Sequence, residues 1–136
     1  MLDSIIVVKI GGTEGVDFAA ICTDAAQLAR SGQKLVLVHG GSAEANALGS
    51  ALNHPARFIT SPSGFTSRYT DRQTLEIFMM AVNGKVNSLL VEQLQANGVN
   101  ALGLSGVDGR LLAASRKDSI RAIENGKQKL IRDDFT

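Results

Sequence analysis

Three segments of this chain place a reactive side chain just ahead of glycine: Lys9 in KIGGTEG, His39 in VHGGSAE and Ser105 in LSGVDG. Glycine lets the backbone approach a ligand closely and take positive φ. Successive free N–H groups then form a nest for an anion, aided by the N-terminus of a following helix. Such turns suit the binding of phosphate or carboxylate. Lys9 admits two readings. Its stem could pack while its amine reaches solvent. Alternatively its ammonium could face Gly11-Gly12 and Gly40-Gly41 and neutralise charge on a transferring phosphoryl group.

The remaining candidates are weighed by their neighbours. A histidine at a strand end, such as His39, is commonly a hydrogen-bonded core residue, and His54 beside Pro55 is expected to be exposed. No Cys/His/Asp cluster has zinc spacing, so no metal site is expected. Ser105 lacks the G-x-S-x-G context of a hydrolase nucleophile. Arg68 reads either as a solvated surface charge or as a bidentate clamp for a carboxylate. KIGGTEG has neither the GxGxxG spacing of a dinucleotide fold nor the GK[ST] ending of a P-loop.

The elements that must position these residues follow from hydrophobic periodicity. Ile5–Lys9 and Lys34–His39 are apolar runs expected as strands buried on both faces. Between them, residues 18–30 carry an apolar stripe at helical spacing and end at Ser31-Gly32. Residues 42–52 read as a short helix with Ser42 as its N-cap. Strand–helix–strand–helix alternation predicts a mainly parallel sheet covered by helices. In such a sheet, ligands bind beyond the carboxyl ends of the strands, where the glycine turns fall.

Residues 57–69 flank the turn SPSG and predict a β-hairpin carrying Arg68. Thr70-Asp71-Arg72-Gln73 has capping-box spacing and should start a helix running to about residue 96. Asn83-Gly84 interrupts that helix and suggests a bend or a close approach. Residues 99–106 are expected to form a third core strand and LLAAS a short one. A second hairpin is expected around Asn125-Gly126.

Composition limits the function. The 136 residues carry 14 basic and 13 acidic side chains for a formal net charge of +1. That balance gives no support to nucleic-acid or membrane-surface binding. Aromatics make up only 4% and tryptophan is absent, which disfavours a base-stacking platform. The single cysteine, Cys22, is expected in the core, and one cysteine fits a reducing cytosol. No apolar run reaches the ~18 residues of a membrane span.

KIGG near the N-terminus, VHGG after the second strand, an Arg-bearing hairpin followed by TD and a long helix, and then GLSGVDG form an ordered set. In that order they resemble the amino acid kinase family, specifically its acetylglutamate kinase branch. The resemblance spans essentially the whole chain. One departure is Ser42, which stands where acetylglutamate kinases usually have a third glycine. With TSRYTDRQTLEIF, it makes the sequence most similar to members acting on aminoadipate or glutamate attached to a small amino-group carrier protein, in lysine or arginine biosynthesis.

The resemblance implies an α/β three-layer αβα sandwich with a mainly parallel sheet and β-hairpins. It implies ATP, as its Mg2+ complex, phosphorylating a side-chain carboxylate to an acyl phosphate. By the same resemblance Lys9 is catalytic, Gly11, Gly12 and Gly40 hold the phosphoryl group, and Gly40, Gly41 and Arg68 hold the acceptor. An acidic carrier protein, a homodimer and a cytoplasmic location are also implied. Family members are longer, so residues 1–136 correspond to the N-terminal acceptor-binding lobe, without the C-terminal nucleotide-binding lobe. Alone, the chain is expected to bind ATP weakly and turn over little. An N-acetylglutamate kinase half and a non-catalytic binding or dimerisation module are the alternatives.

Overall fold

The structure, a computed structural model, describes residues 4–135. Strand β1 (Ile5–Ile10) pairs in parallel with β2 (Lys34–His39), in register from Ile5↔Lys34 to Ile10↔His39. Helix α1 (Phe18–Arg30) connects them, as apolar periodicity requires. The Asp17 carboxylate accepts from the Ala20 N–H at 3.0 Å, which satisfies a donor left open at the helix start. Gly32, at φ +88°, ends α1 in a conformation that disfavours other residues.

Parallel register sends paired residues to the same face. Leu35 and Leu37 pack on a core of Cys22 and Ala25 from α1 with Val86, Leu90 and Leu94 from the long helical segment. The opposite face carries Ile5, Val7, Val36 and Val38, all between 46% and 65% exposed. The expectation of strands buried on both faces is therefore corrected. The helices that meet this sheet cover one side, and among the described residues none covers the other.

Helix α2 (Ser42–Ala51) packs against the helical segment that starts at α3 (Arg72–Met79). That segment continues through π-helical turns (Met80–Val86) into α4 (Asn87–Ala96). Its N-cap is Asp71, one residue beyond the expected Thr70, and the Asp71 carboxylate accepts from the Thr74 N–H at 2.8 Å. Asn83-Gly84 lies within the π turns, so the interruption is a widening of the helix. No close approach occurs there, because a β-carbon on Gly84 would meet nothing within 4 Å. Met79 and Met80 are exposed beside this widening. No described helix is long and apolar enough to cross a membrane.

Both expected hairpins form: β3 (Phe58–Thr60) with β4 (Thr66–Arg68), and β5 (Ile120–Glu124) with β6 (Lys127–Ile131). Antiparallel pairing of β3 with β5 joins them into one sheet in the order β4-β3-β5-β6. The strands expected over 99–106 and 111–115 are absent. Val99 and Ala101 pack on the core, but no strand among the described residues offers this segment a hydrogen-bonding ladder. The third glycine turn therefore does not end a strand of the parallel sheet. It closes on itself instead: the Asp108 carboxylate accepts from the Ser105 N–H at 2.6 Å and from its hydroxyl at 2.8 Å.

Candidate functional site: two touching glycine turns and Arg68

β1 and β2 lie side by side and point the same way, so Gly11-Gly12 and Gly40-Gly41 emerge at one end of the sheet. The turns are in direct contact. A β-carbon on Gly12 would lie 2.5 Å from the carbonyl carbon of Gly40 and 2.8 Å from its Cα. Gly41 is buried, and a β-carbon there would come within 2.9 Å of Val82 Cγ2 in the π turns. Close packing thus accounts for glycine at both positions before any ligand is considered.

The Gly12 carbonyl fixes this contact. It accepts from the Ala43 N–H at 2.9 Å and from the Ser42 hydroxyl at 2.9 Å. Ser42 is therefore not the N-cap expected of it. Gly41 occupies the cap position, and Ser42 begins the helix with its hydroxyl committed to the neighbouring turn. One N–H at the start of α2 is thus spent on Gly12 and withheld from any ligand. The N–H groups of Gly12 and Gly41 make no hydrogen bond among the described residues, and the nitrogen of the buried Gly41 is packed against Gly12.

Lys9 precedes Gly11-Gly12 and pairs with Val38 on the uncovered face of the sheet. It is exposed, and its side chain makes no hydrogen bond or ion pair among the described residues. Arg68 comes from β4, on the other sheet. Its guanidinium lies over the rings of Phe58 and Phe78, 5.6 and 5.7 Å from their centroids. One of its nitrogens reaches the Ser42 carbonyl at 3.4 Å. Burial pushes the Arg68 guanidinium down from its usual value, but arginine starts so high that it stays charged. The two glycine turns and Arg68 thus meet around Ser42, while Lys9 stands at the same sheet end on the outer face.

A cleft of about 410 Å³ opens beside the turns, with Thr13, Glu14, Ser42, Asn46 and Ser50 in its wall. Its size suits a small ligand, though neither Lys9 nor Arg68 lines it. His39 lies on the covered face with its Nδ1 3.1 Å from the Gly40 carbonyl; it is hydrogen-bonded as expected, but half-buried rather than part of the core. His54, expected to be exposed, is half-buried: its Nε2 sits 3.0 Å from the Thr74 hydroxyl and 3.4 Å from the Asp71 carboxylate. The cations nearest in sequence to Arg68 are engaged within the chain. Arg57 pairs with Glu124 at 2.7 Å, Arg72 with Glu76 at 2.7 Å, and Lys85 with Glu44 at 2.5 Å.

Sequence reasoning missed Phe58 and Phe78 as the platform of Arg68, because cation–π contacts across separate elements leave no spacing signal. It also missed the second role of Ser42.

Comparison with known proteins gives this arrangement a context. A LysW-aminoadipate kinase of Deinococcus radiodurans is 58% identical over 133 residues, covering 98% of this chain and 46% of that protein. The LysW-aminoadipate kinase of Thermus thermophilus is 56% identical over 131 residues, covering 96% of this chain and 49% of that protein. The chain thus spans about half the length of these curated relatives. The amino acid kinase family model matches residues 4–134, and its α/β fold, with parallel strands and antiparallel hairpins, agrees with the architecture described above. By the extent of that match, this chain belongs to the amino acid kinase family.

Proposed function

We propose that this chain supplies the acceptor-holding part of a kinase that phosphorylates the side-chain carboxylate of aminoadipate or glutamate carried on a small acidic protein. The names of the relatives support the substrate class. The observation that carries the reading is that the Gly12 turn and Arg68 both bond Ser42, which brings an unpaired Gly12 N–H and a charged guanidinium to the same residue. Arg68 grips the α-carboxylate of the acceptor, and Gly40 and Gly41 hold its reacting end.

A carboxylate needs no base to act as nucleophile. Its oxygen attacks the γ-phosphorus of ATP, the bond to the bridging oxygen breaks, and ADP leaves with those electrons. Charge builds on the transferring group and on the bridging oxygen, so fixed donors provide the catalysis. Within this chain those donors are the Lys9 ammonium and the N–H groups of Gly11 and Gly12, whereas the Gly40 N–H donates to the Ile10 carbonyl at 3.2 Å and so holds the turn rather than the phosphoryl group. The Lys9 ammonium and the Gly12 N–H fit this role because neither group makes an internal hydrogen bond among the described residues. Mg2+ bound with the nucleotide neutralises charge on its phosphates. The amine of the acceptor must be blocked, since a free amine would attack the acyl phosphate and cyclise. A homodimer built on the 72–96 segment would cover Met79 and Met80.

Calorimetric titration with N-acetylglutamate and with carrier-linked aminoadipate tests the acceptor site. Arg68→Ala should weaken binding at least tenfold, and Arg68→Lys should not rescue it, because an ammonium lacks the planar fork. Lys9→Ala should leave acceptor affinity unchanged. Stronger binding of the carrier-linked compound favours the carrier reading, and stronger binding of N-acetylglutamate favours the free-acceptor kinase. Wild-type affinity in Arg68→Ala would overturn the assignment.

A further inference from the structure

We propose that Ser42 is a positioning residue that couples the glycine turn after β1 to Arg68 on β4. Its hydroxyl donates to the Gly12 carbonyl at 2.9 Å, and its own carbonyl accepts from Arg68 at 3.4 Å. One residue in the first turn of α2 therefore touches two separate elements. The substrate reading rests on the proposed function above, whereas the coupling is a property of the unliganded chain.

The hydroxyl changes how Gly12 is held. With only the Ala43 N–H as donor, at 2.9 Å, the Gly12 carbonyl could swing about a single contact. A second donor at the same oxygen fixes the direction of the carbonyl. Because a peptide group is planar and trans, this also fixes the N–H of Thr13 in that plane. The backbone of Gly40 and Gly41 bounds Gly12 on one side, and the Ser42 hydroxyl restrains the direction of its carbonyl.

The other side of Ser42 limits Arg68. The guanidinium rests over Phe58 and Phe78. The Ser42 carbonyl supplies a directional partner that a ring face does not. Through Ser42, the direction of the Thr13 N–H and the position of the guanidinium are both referred to one short helix turn. Their separation decides how long an acceptor can bridge the two. Ser42 thereby acts on acceptor recognition without touching the acceptor through its hydroxyl, which points into the neighbouring turn.

The test uses Ser42→Ala, which removes the hydroxyl, and Ser42→Thr, which keeps it. NMR of the unliganded chain reads the Gly12 amide and the Arg68 Nε–H, and calorimetry with N-acetylglutamate reads affinity. Ser42→Ala should shift both resonances and weaken binding three- to tenfold, with Ser42→Thr restoring both. Arg68→Ala should in turn shift the Gly12 amide. Unchanged Arg68 and Gly12 resonances in Ser42→Ala would overturn the proposal. So would a Ser42→Thr variant that melts like wild type yet behaves as Ser42→Ala. If the wild-type chain binds no N-acylated acceptor, the acceptor reading fails, and the coupling is judged on the resonances alone.

Discussion

A β-carbon on Gly12 would stand 2.2 Å from the backbone nitrogen of Gly41. The turns after β1 and β2 therefore meet backbone to backbone, and the obstacle to any side chain is one that cannot rotate away. Gly12→Ala should destabilise the chain by about 1–3 kcal/mol, the usual cost of overpacking. Gly84→Ala should do the opposite and add about 0.5–1 kcal/mol, because its site is open and glycine within a helix is unfavourable. Urea midpoints of the two variants check both signs, and a neutral Gly12→Ala would show that the turns part freely.

Asp71 ties α3 to the loop before it. Its carboxyl is held below the ordinary aspartate value of 3.8, first by the Thr74 N–H and also by the nearby His54. A carboxylate depressed in the folded state contributes stability above its unfolded pKa and loses it as pH falls through the folded one. Asp71→Ala should cost about 1 kcal/mol at neutral pH, as for other helix caps. The difference from wild type should shrink below pH 3.8 and vanish beneath the lowered value. A gap that stayed constant into strong acid would count against the cap's charge as the cause.

The uncovered face of the parallel sheet should bind apolar dyes. Val7 is 65% exposed and Val36 46%, so replacing both with lysine removes little packing. Val7→Lys with Val36→Lys should cut the fluorescence of a bound naphthalene-sulfonate dye by more than half. Stability should stay within roughly 0.5 kcal/mol per site, as for substitutions away from packed features. A large loss of stability would mean that this face is covered in solution.

Cys22 should report opening of the core. It has no exposed surface, and burial pushes its thiol up. Both effects suppress the reactive thiolate. Labelling with a disulfide reagent should be slower than for a free thiol by about a hundredfold or more, and should accelerate in step with unfolding by urea. Rapid labelling under native conditions would contradict the packing of α1 on α4.

Local chemistry was legible in the sequence wherever it acts over a few residues. Asn125-Gly126 takes φ of 51° and 72°, the positive values that a two-residue hairpin turn needs. Gly32 closes α1 where glycine was expected to close it, and β1 and β2 fall on the two apolar runs. The order of the glycine motifs and the TD-led helix was enough to suggest the family. These signals depend on torsional preference and periodicity, which neighbouring residues determine.

Tertiary structure decided which distant groups meet. Residues 99–106 have the composition of a strand but no ladder partner among the described residues, so composition alone did not make them one. The two hairpins became one sheet through Thr60 and Ile123, a pairing that neither turn encodes. Ser42 had the residue type and position of a cap for its own helix, yet its hydroxyl went to Gly12. A hydroxyl bonds whichever acceptor lies within about 3 Å in the folded chain. Here that acceptor arrived because Gly12 and Gly41, both lacking a side chain, allowed two strand ends to touch.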